Sequence, residues 1–209
     1  MPDLEDLLQG DQLKKARLQD AVIKIIFNTV QDGVFHGGTA IWRCFGGKRF
    51  SKDIDIYIAK GSSIRRVLNR LSQSGFDVKK DSQRRSTLFY TIKNSTDVSL
   101  QINKVAINGE IFPYVEADGT MMDVYSLAPE ALIYEKIAAY KDRRLERDLY
   151  DIKILTASTV DKAKIAHKLK DFLSGIERPK DRGALKNLIY EGLVPTFDEL
   201  VTYLERWCN

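Results

Sequence analysis

The stretch Asp53-Ile54-Asp55-Ile56-Tyr57-Ile58 constrains the fold more than any other part of the chain. Its apolar residues recur at every second position, and side chains two apart on a strand share a face. The isoleucines therefore line one side, and Asp53, Asp55 and Tyr57 line the other. The sequence on either side has helical spacing. Asp11 to Val30 places Leu13, Ala16, Ala21, Ile25, Ile26 and Val30 near helical spacing and stops at Gln31-Asp32-Gly33. A short apolar piece, Val34-Phe35, leads to Gly37-Gly38-Thr39. Ala40 to Phe45 is helical again, and Gly46-Gly47 breaks it.

Beyond the acidic strand, Ser62 to Gln73 predicts a helix. Residues 76–79, 87–92, 98–107 and 110–115 read as strands, and Asn108-Gly109 is a hairpin signal between the last two. From Pro129 the pattern is wholly helical, with helices expected over 129–142, 146–156, 162–175, 183–191 and 196–207. The change of pattern near Ser126 predicts an α/β unit over 1–125 and a helical unit over 126–209.

Composition narrows the setting. A chain of 209 residues with 44% hydrophobic content can build a real core. The cysteines, Cys44 and Cys208, form no disulfide framework and no zinc spacing, which suits a reducing, cytoplasmic compartment. The start MPDLEDLLQGDQLKK has no apolar centre, so it does not read as a signal peptide, and no run approaches the ~18 apolar residues of a membrane helix. Net charge is +4, but it is uneven: residues 43–85 hold 12 Lys/Arg against 4 Asp/Glu, whereas residues 126–209 hold 15 against 14. A solvated surface is the plain account of that excess, and a polyanion footprint is the alternative.

Chemistry enters with order and spacing. Glycines such as Gly37 and Gly38 let backbone amides approach a phosphate, and the helix start beyond them favours negative charge. Two carboxylates on one strand face repel each other unless a cation sits between them, and hard oxygen ligands suit Mg²⁺ or Mn²⁺. A phosphate loop followed by a metal pair is the layout that phosphoryl-type transfer requires.

These residues resemble a known family. His36-Gly37-Gly38-Thr39-Ala40-Ile41, followed by Arg49-Phe50-Ser51-Lys52-Asp53-Ile54-Asp55-Ile56, is similar to the signature of the AbiEii/AbiGii-type toxin nucleotidyltransferases, which belong to the DNA polymerase β-like superfamily. Ile41 stands where the family has Leu. Glu135-Lys136 followed by Arg147-Asp148-Leu149-Tyr150-Asp151 resembles the family's helical motif. The resemblance implies an α+β fold: a polymerase β-like nucleotidyltransferase domain with a mixed β-sheet, followed by a C-terminal helical bundle. It implies a nucleoside triphosphate such as ATP as substrate, Mg²⁺ or Mn²⁺ on Asp53 and Asp55, and nucleotide contacts from Gly37, Gly38, Thr39, Arg49 and Ser51. Lys136 is carried over as a triphosphate contact and Asp151 as a catalytic or positioning acid, with Asp148 beside it. It also implies a toxin of a toxin–antitoxin pair, with an antitoxin protein as possible partner and tRNA 3′ ends as one RNA acceptor; a protein or small-molecule acceptor is the alternative within the superfamily.

The chain departs from the superfamily at one place. A third carboxylate is expected on a later strand, and Val98-Ser99-Leu100-Gln101-Ile102-Asn103 has only Ser99, Gln101 and Asn103 at its polar positions. This supports a rival reading, a nucleotide- or RNA-binding protein without turnover. Among other residues, His36 reads as structural, and Lys79, Lys80, Arg84 and Arg85 are candidates to grip a nucleic-acid backbone.

Overall fold

A computed structural model describes residues 3–209. Met1 and Pro2, at the head of the acidic start, lie outside the described residues. The chain divides into two compact units. One comprises the chain up to Cys44 together with Phe50–Leu127; the other comprises Phe45–Arg49 and Ala128–Asn209.

The first unit opens with α1 (Leu4–Leu7) and α2 (Gly10–Thr29), then β1 (Gly33–His36), α3 (Gly37–Cys44), β2 (Asp53–Ile58) and α4 (Gly61–Gln73). Five strands follow: β3 (Asp77–Arg84), β4 (Thr87–Lys93), β5 (Asp97–Asn103), β6 (Glu110–Val115) and β7 (Met121–Ser126). They form one mixed seven-stranded sheet in the order β3-β4-β5-β2-β1-β7-β6. The β2–β5 and β1–β7 pairs are parallel and the others antiparallel. This is the α+β arrangement with a mixed sheet that the family resemblance implies.

The predicted alternation in β2 is the organising feature. Ile54, Ile56 and Ile58 are fully buried, and they pack with Val22, Ile23 and Ile26 of α2, Ile64, Val67 and Leu71 of α4, and Leu100 and Ile102 of β5. Asp53, Asp55 and Tyr57 point to the opposite, polar face of the sheet and are half-buried.

The strands differ from expectation: the one expected over 98–107 ends at Asn103, and β7 has no expected counterpart. Asn108-Gly109 is not a hairpin turn: β5 is flanked on both sides, by β2 and β4, so β6 pairs with β7 instead. The glycine answers a packing need. A Cβ at Gly109 would come within 2.9 Å of Val34 Cγ1 and 3.1 Å of the Ser126 carbonyl oxygen. Strand β7 is not evident in the sequence, because Met121 and Tyr125 on its outer side are as apolar as Val124 on its inner side.

The second unit contains α5 (Pro129–Arg143), α6 (Glu146–Thr156), α7 (Lys162–Ser174) and α8 (Phe197–Cys208). Pro129 starts α5, where its missing N–H costs nothing, and a capping box of Thr196 and Glu199 starts α8. The helix expected over 183–191 is reduced to a single 3-10 turn, Ala184–Asn187. The next residues fold back on the Phe45–Arg49 segment: Ile189 bridges to Arg49, and the Tyr190 N–H donates to the Lys48 carbonyl. No helix among the described residues is long and apolar enough to cross a membrane.

Candidate functional site

In the first unit, the Gly-Gly-Thr turn and the acidic strand are built against each other. His36 and Asp55 are opposed across β1 and β2. The next residue, Gly37, has φ +74°, and a Cβ there would fall on the carboxylate of Asp55, well inside the 3.0 Å that real Cβ atoms keep. Glycine is required here both for its left-handed backbone and for the space the Asp55 carboxylate occupies. Gly37 and Gly38 also form the first residues of α3 rather than a loop ahead of it.

Thr39, expected to touch nucleotide, is fully buried. Its hydroxyl donates to the Asp53 carbonyl, with a longer contact to the Ser51 carbonyl at 3.4 Å. The Ser51 carbonyl also accepts from Gln19 Nε2 at 2.9 Å. Thr39 and Gln19 thus tie down the backbone that enters β2 and position Asp53. Gln19 was not singled out in the sequence, although a glutamine in the apolar stripe between Ala16 and Ile23 is a visible signal. His36 is buried, stacked on Tyr57 with ring centroids 4.0 Å apart, and its Nε2 lies 3.1 Å from Asn103 Nδ2.

The register answers the question of the third carboxylate. Ser99, Gln101 and Asn103 lie beside Asp53, Asp55 and Tyr57 in turn, so Gln101 is the β5 neighbour of Asp55. Among the described residues, no cluster of three or more His, Cys, Asp or Glu could hold a metal. The donor set of this face is therefore two carboxylates and an amide. That set fits Mg²⁺, which commonly takes one or two protein carboxylates and completes its shell with water and substrate phosphate.

The second unit gathers the other predicted residues. Asp151 is 1% exposed, and Arg49 grips it in a bidentate pair, Nε to Oδ1 and Nη2 to Oδ2, both at 2.6 Å. Lys136 Nζ lies 2.8 Å from Asp151 Oδ2 and 3.5 Å from Asp148 Oδ1, and Arg143 holds Asp148 through two bonds of 2.8 Å. Lys136 is itself buried, at 6% exposure. Burial alone would push the Asp151 carboxyl up; the charges of Arg49 and Lys136 and their hydrogen bonds outweigh it and hold the group below the ordinary carboxylate value. Burial opposes the charge on Arg49, and Asp151 reverses this and raises its pKa. Along the contacts Arg49, Asp151, Lys136, Asp148 and Arg143 the sign alternates, and the five sum to one positive charge. An acid held ionised in this way is a weak proton acceptor.

The basic segment also divides. Arg43 is 1% exposed and donates to Asp20 Oδ1 at 2.6 Å, to the Ala16 carbonyl at 3.1 Å and to the Val115 carbonyl at 3.2 Å. Asp20 also accepts from the Tyr114 hydroxyl and the Ala117 N–H. Arg43 and Arg49 are thus buried and paired with carboxylates, whereas Lys79, Lys80, Arg84 and Arg85 are exposed.

Comparison with known proteins agrees with this architecture. The chain is similar to MenT4, a nucleotidyltransferase toxin from Mycobacterium tuberculosis H37Rv, with a TM-score of 0.70 and 18% identity over 95% of this chain and 82% of that one. It is similar to a putative nucleotidyltransferase from H. pylori, with a TM-score of 0.69 and 20% identity over 96% and 94%. ANT(2″)-Ia in complex with adenylyl-2″-tobramycin matches with a TM-score of 0.55 and 15% identity over 77% and 98%. At these identities the likeness establishes the fold. No curated protein sequence matches. The family model described as nucleotidyl transferase AbiEii toxin, type IV toxin–antitoxin system, matches residues 31–200, a span that holds the Gly-Gly-Thr turn, the acidic strand and the Lys136–Asp151 helices, and the chain therefore belongs to the AbiEii nucleotidyltransferase toxin family.

Proposed function

We propose that this enzyme moves a nucleoside monophosphate from a nucleoside triphosphate to an acceptor hydroxyl on RNA, with tRNA 3′ ends as the leading candidate, in the cytoplasm and as the toxin of an antitoxin-controlled pair. The observation that carries the reading is the same-face pair Asp53 and Asp55, with the Asp55 carboxylate packed directly on the Gly37 backbone. In the reaction, the acceptor oxygen bonds to the α-phosphorus, the bond to the β-phosphate bridging oxygen breaks, pyrophosphate leaves with the electron pair, and the hydroxyl proton passes to solvent. Mg²⁺ held by Asp53 and Asp55 would neutralise the triphosphate charge.

The chain's own residues have separate roles in this reading. Thr39 and Gln19 hold the strand entrance, so the carboxylates meet their cation without reorganisation. In the second unit, Lys136 is the triphosphate contact, and the net positive charge of its network suits that task. Asp151 positions Lys136 and Arg49 and does not act as the base, because both of its oxygens are engaged by cations.

The experiment is incubation with each labelled triphosphate, Mg²⁺ and total RNA. Label should enter RNA with the parent chain and not with Asp53→Asn or Asp55→Asn, while both variants stay folded. Near-normal transfer by either variant refutes the site. Gln101 beside Asp55 favours one rival, a nucleotide binder without turnover, which would retain triphosphate and label neither RNA nor protein. Label in protein or in a small molecule would redirect the acceptor class.

A further inference from the structure

The polar face of the sheet in the first unit is ruled into rungs by the strand register. One rung reads Asp53, Ser99, Thr91, Lys79 from β2 to β3; the next reads Asp55, Gln101, Phe89, Ser82; the third reads Tyr57, Asn103, Thr87, Arg84. The residues between them, Ile54, Leu100, Leu88, Tyr90 and Ile92 among them, are buried on the other side. The face thus runs from the acidic pair, across an uncharged hydrogen-bonding strip, to an edge that carries Lys79 and Arg84 with the Asp81 carboxylate between them.

That edge exists because of a β-bulge. Lys79 and Arg84 are five residues apart, and strict alternation would send them to opposite faces. The register shifts between Lys80 and Ser82, and the extra residue brings both Lys79 and Arg84 onto the face of Asp53 and Asp55. The same shift places Lys80 and Gln83 on the other side, where Lys80 Nζ donates to Gln83 Oε1 at 3.1 Å. Arg85 falls in the β3–β4 turn with φ 51°. Asp81 of the bulge accepts a hydrogen bond from the Thr91 hydroxyl at 2.8 Å. Beyond Lys79 the edge is again mixed in sign, with Asp77, Lys93 and Asp97 on one rung.

Phe89 lies in the middle of this strip, half-buried, between Gln101 and Ser82. It is two strands from Asp55, roughly 10 Å at the usual strand spacing. An aromatic ring among amides and hydroxyls, next to an edge with two cations, is the combination by which single-stranded nucleic acid is held: a base stacks on the ring and the phosphates meet the cations.

We propose that this face is the acceptor track, on which a single-stranded RNA 3′ end lies across β3, β4 and β5 toward Asp53 and Asp55, with a base on Phe89 and phosphates against Lys79 and Arg84. The proposal rests on reading the acidic pair as the transfer centre. The bulge makes it specific, because two adjacent lysines, Lys79 and Lys80, must behave differently.

The test is fluorescence anisotropy of a labelled single-stranded RNA with the full chain over a salt series. Phe89→Leu, which keeps an apolar side chain without the ring, should weaken binding by roughly 5- to 150-fold, and Phe89→Trp should retain it. Lys79→Glu with Arg84→Glu should flatten the salt dependence by roughly 1.4 in slope, at about 0.7 per phosphate contact on a single strand. Lys80→Glu should leave that slope near the parent's. Equal effects of Lys79→Glu and Lys80→Glu, unchanged binding by Phe89→Leu, or no RNA binding by the parent would each overturn the track. Binding needs no turnover, so the two readings fail separately. A wrong transfer centre appears as RNA binding with no labelled product, and a wrong track as labelled product with binding indifferent to this face.

Discussion

Replacing Asp151 by asparagine tests a buried carboxylate held by two cations. Its carboxylate, 1% exposed, meets Arg49 twice at 2.6 Å and Lys136 at 2.8 Å. Asparagine keeps the shape but presents an NH₂ to one of these cations, leaves Arg49 without its bidentate counter-charge and leaves Lys136 with only the 3.5 Å contact to Asp148. Removing one partner of a buried ion pair costs about 3–5 kcal/mol, and a domain is stable by only about 5–15 kcal/mol. Asp151→Asn should therefore lose roughly 3–5 kcal/mol in urea unfolding at neutral pH. Lys136→Met leaves the bidentate Arg49 pair in place and should lose less, about 1.5–3 kcal/mol, the worth of a hydrogen bond to a charged group. The pH dependence follows from the depressed carboxyl. Its ordinary value is 3.8, and the folded value lies below it, so the contribution is fully present above that range and is lost as pH falls through the folded value. The parent should thus lose more stability than Asp151→Asn on going from neutral to strongly acid solution. An Asp151→Asn variant within 1 kcal/mol of the parent, or a larger loss from Lys136→Met, would refute the view of Asp151 as the hub of this network.

Other outcomes follow from single contacts. Gly37→Ala places a methyl group against the Asp55 carboxylate at φ +74° and should cost about 1–3 kcal/mol in strain while sharply reducing transfer; an active, equally stable variant would contradict the packing. Arg43→Met leaves Asp20 buried without its cation and should destabilise by about 3–5 kcal/mol in chemical denaturation, whereas a neutral result would show the pair to be dispensable. Burial pushes the Cys44 thiol up to about 12 and raises that of Cys208, so iodoacetamide at mildly alkaline pH should modify them slowly in the native chain and rapidly in urea. Native-state alkylation of Cys44 at a free-thiol rate would count against its raised pKa.

What could be read in advance depended on how local each cause was. The β2 strand and its acidic side are written in residues two apart and appear where expected, whereas Gly37 and Gly38 begin α3 instead of forming a loop ahead of it. Helices α5 and α6 also appear where expected, their apolar spacing and Pro129 start being local signals. Long-range causes were hidden. Gly109 looked like a turn glycine because nothing nearby in sequence reveals that Val34 and Ser126 would crowd it. The bulge near Asp81 leaves no mark on a polar strand whose residues are nearly all exposed. Arg49 resembled a phosphate contact, and its bidentate partner, Asp151, is 102 residues away. Thr39 likewise carries a motif position but spends its hydroxyl on backbone carbonyls.

The brief excursion of Phe45–Arg49 into the second unit has a practical meaning for anyone cutting the gene. No single cleavage separates the two bodies, since the polypeptide passes from one to the other after Cys44, after Arg49 and after Leu127. A recombinant fragment beginning at Ala128 would carry Asp151 and Lys136 but not Arg49, and it would lose the strand bridge to Ile189 as well. Dissection therefore calls for a transplanted segment, with residues 45–49 spliced onto the helical piece and a short linker closing the gap in the other. The tight spacing of the signature, in which Arg49 stands four residues before Asp53, then acts as a tether: an insertion between them would lengthen the covalent link between two folding units while leaving every motif residue in place.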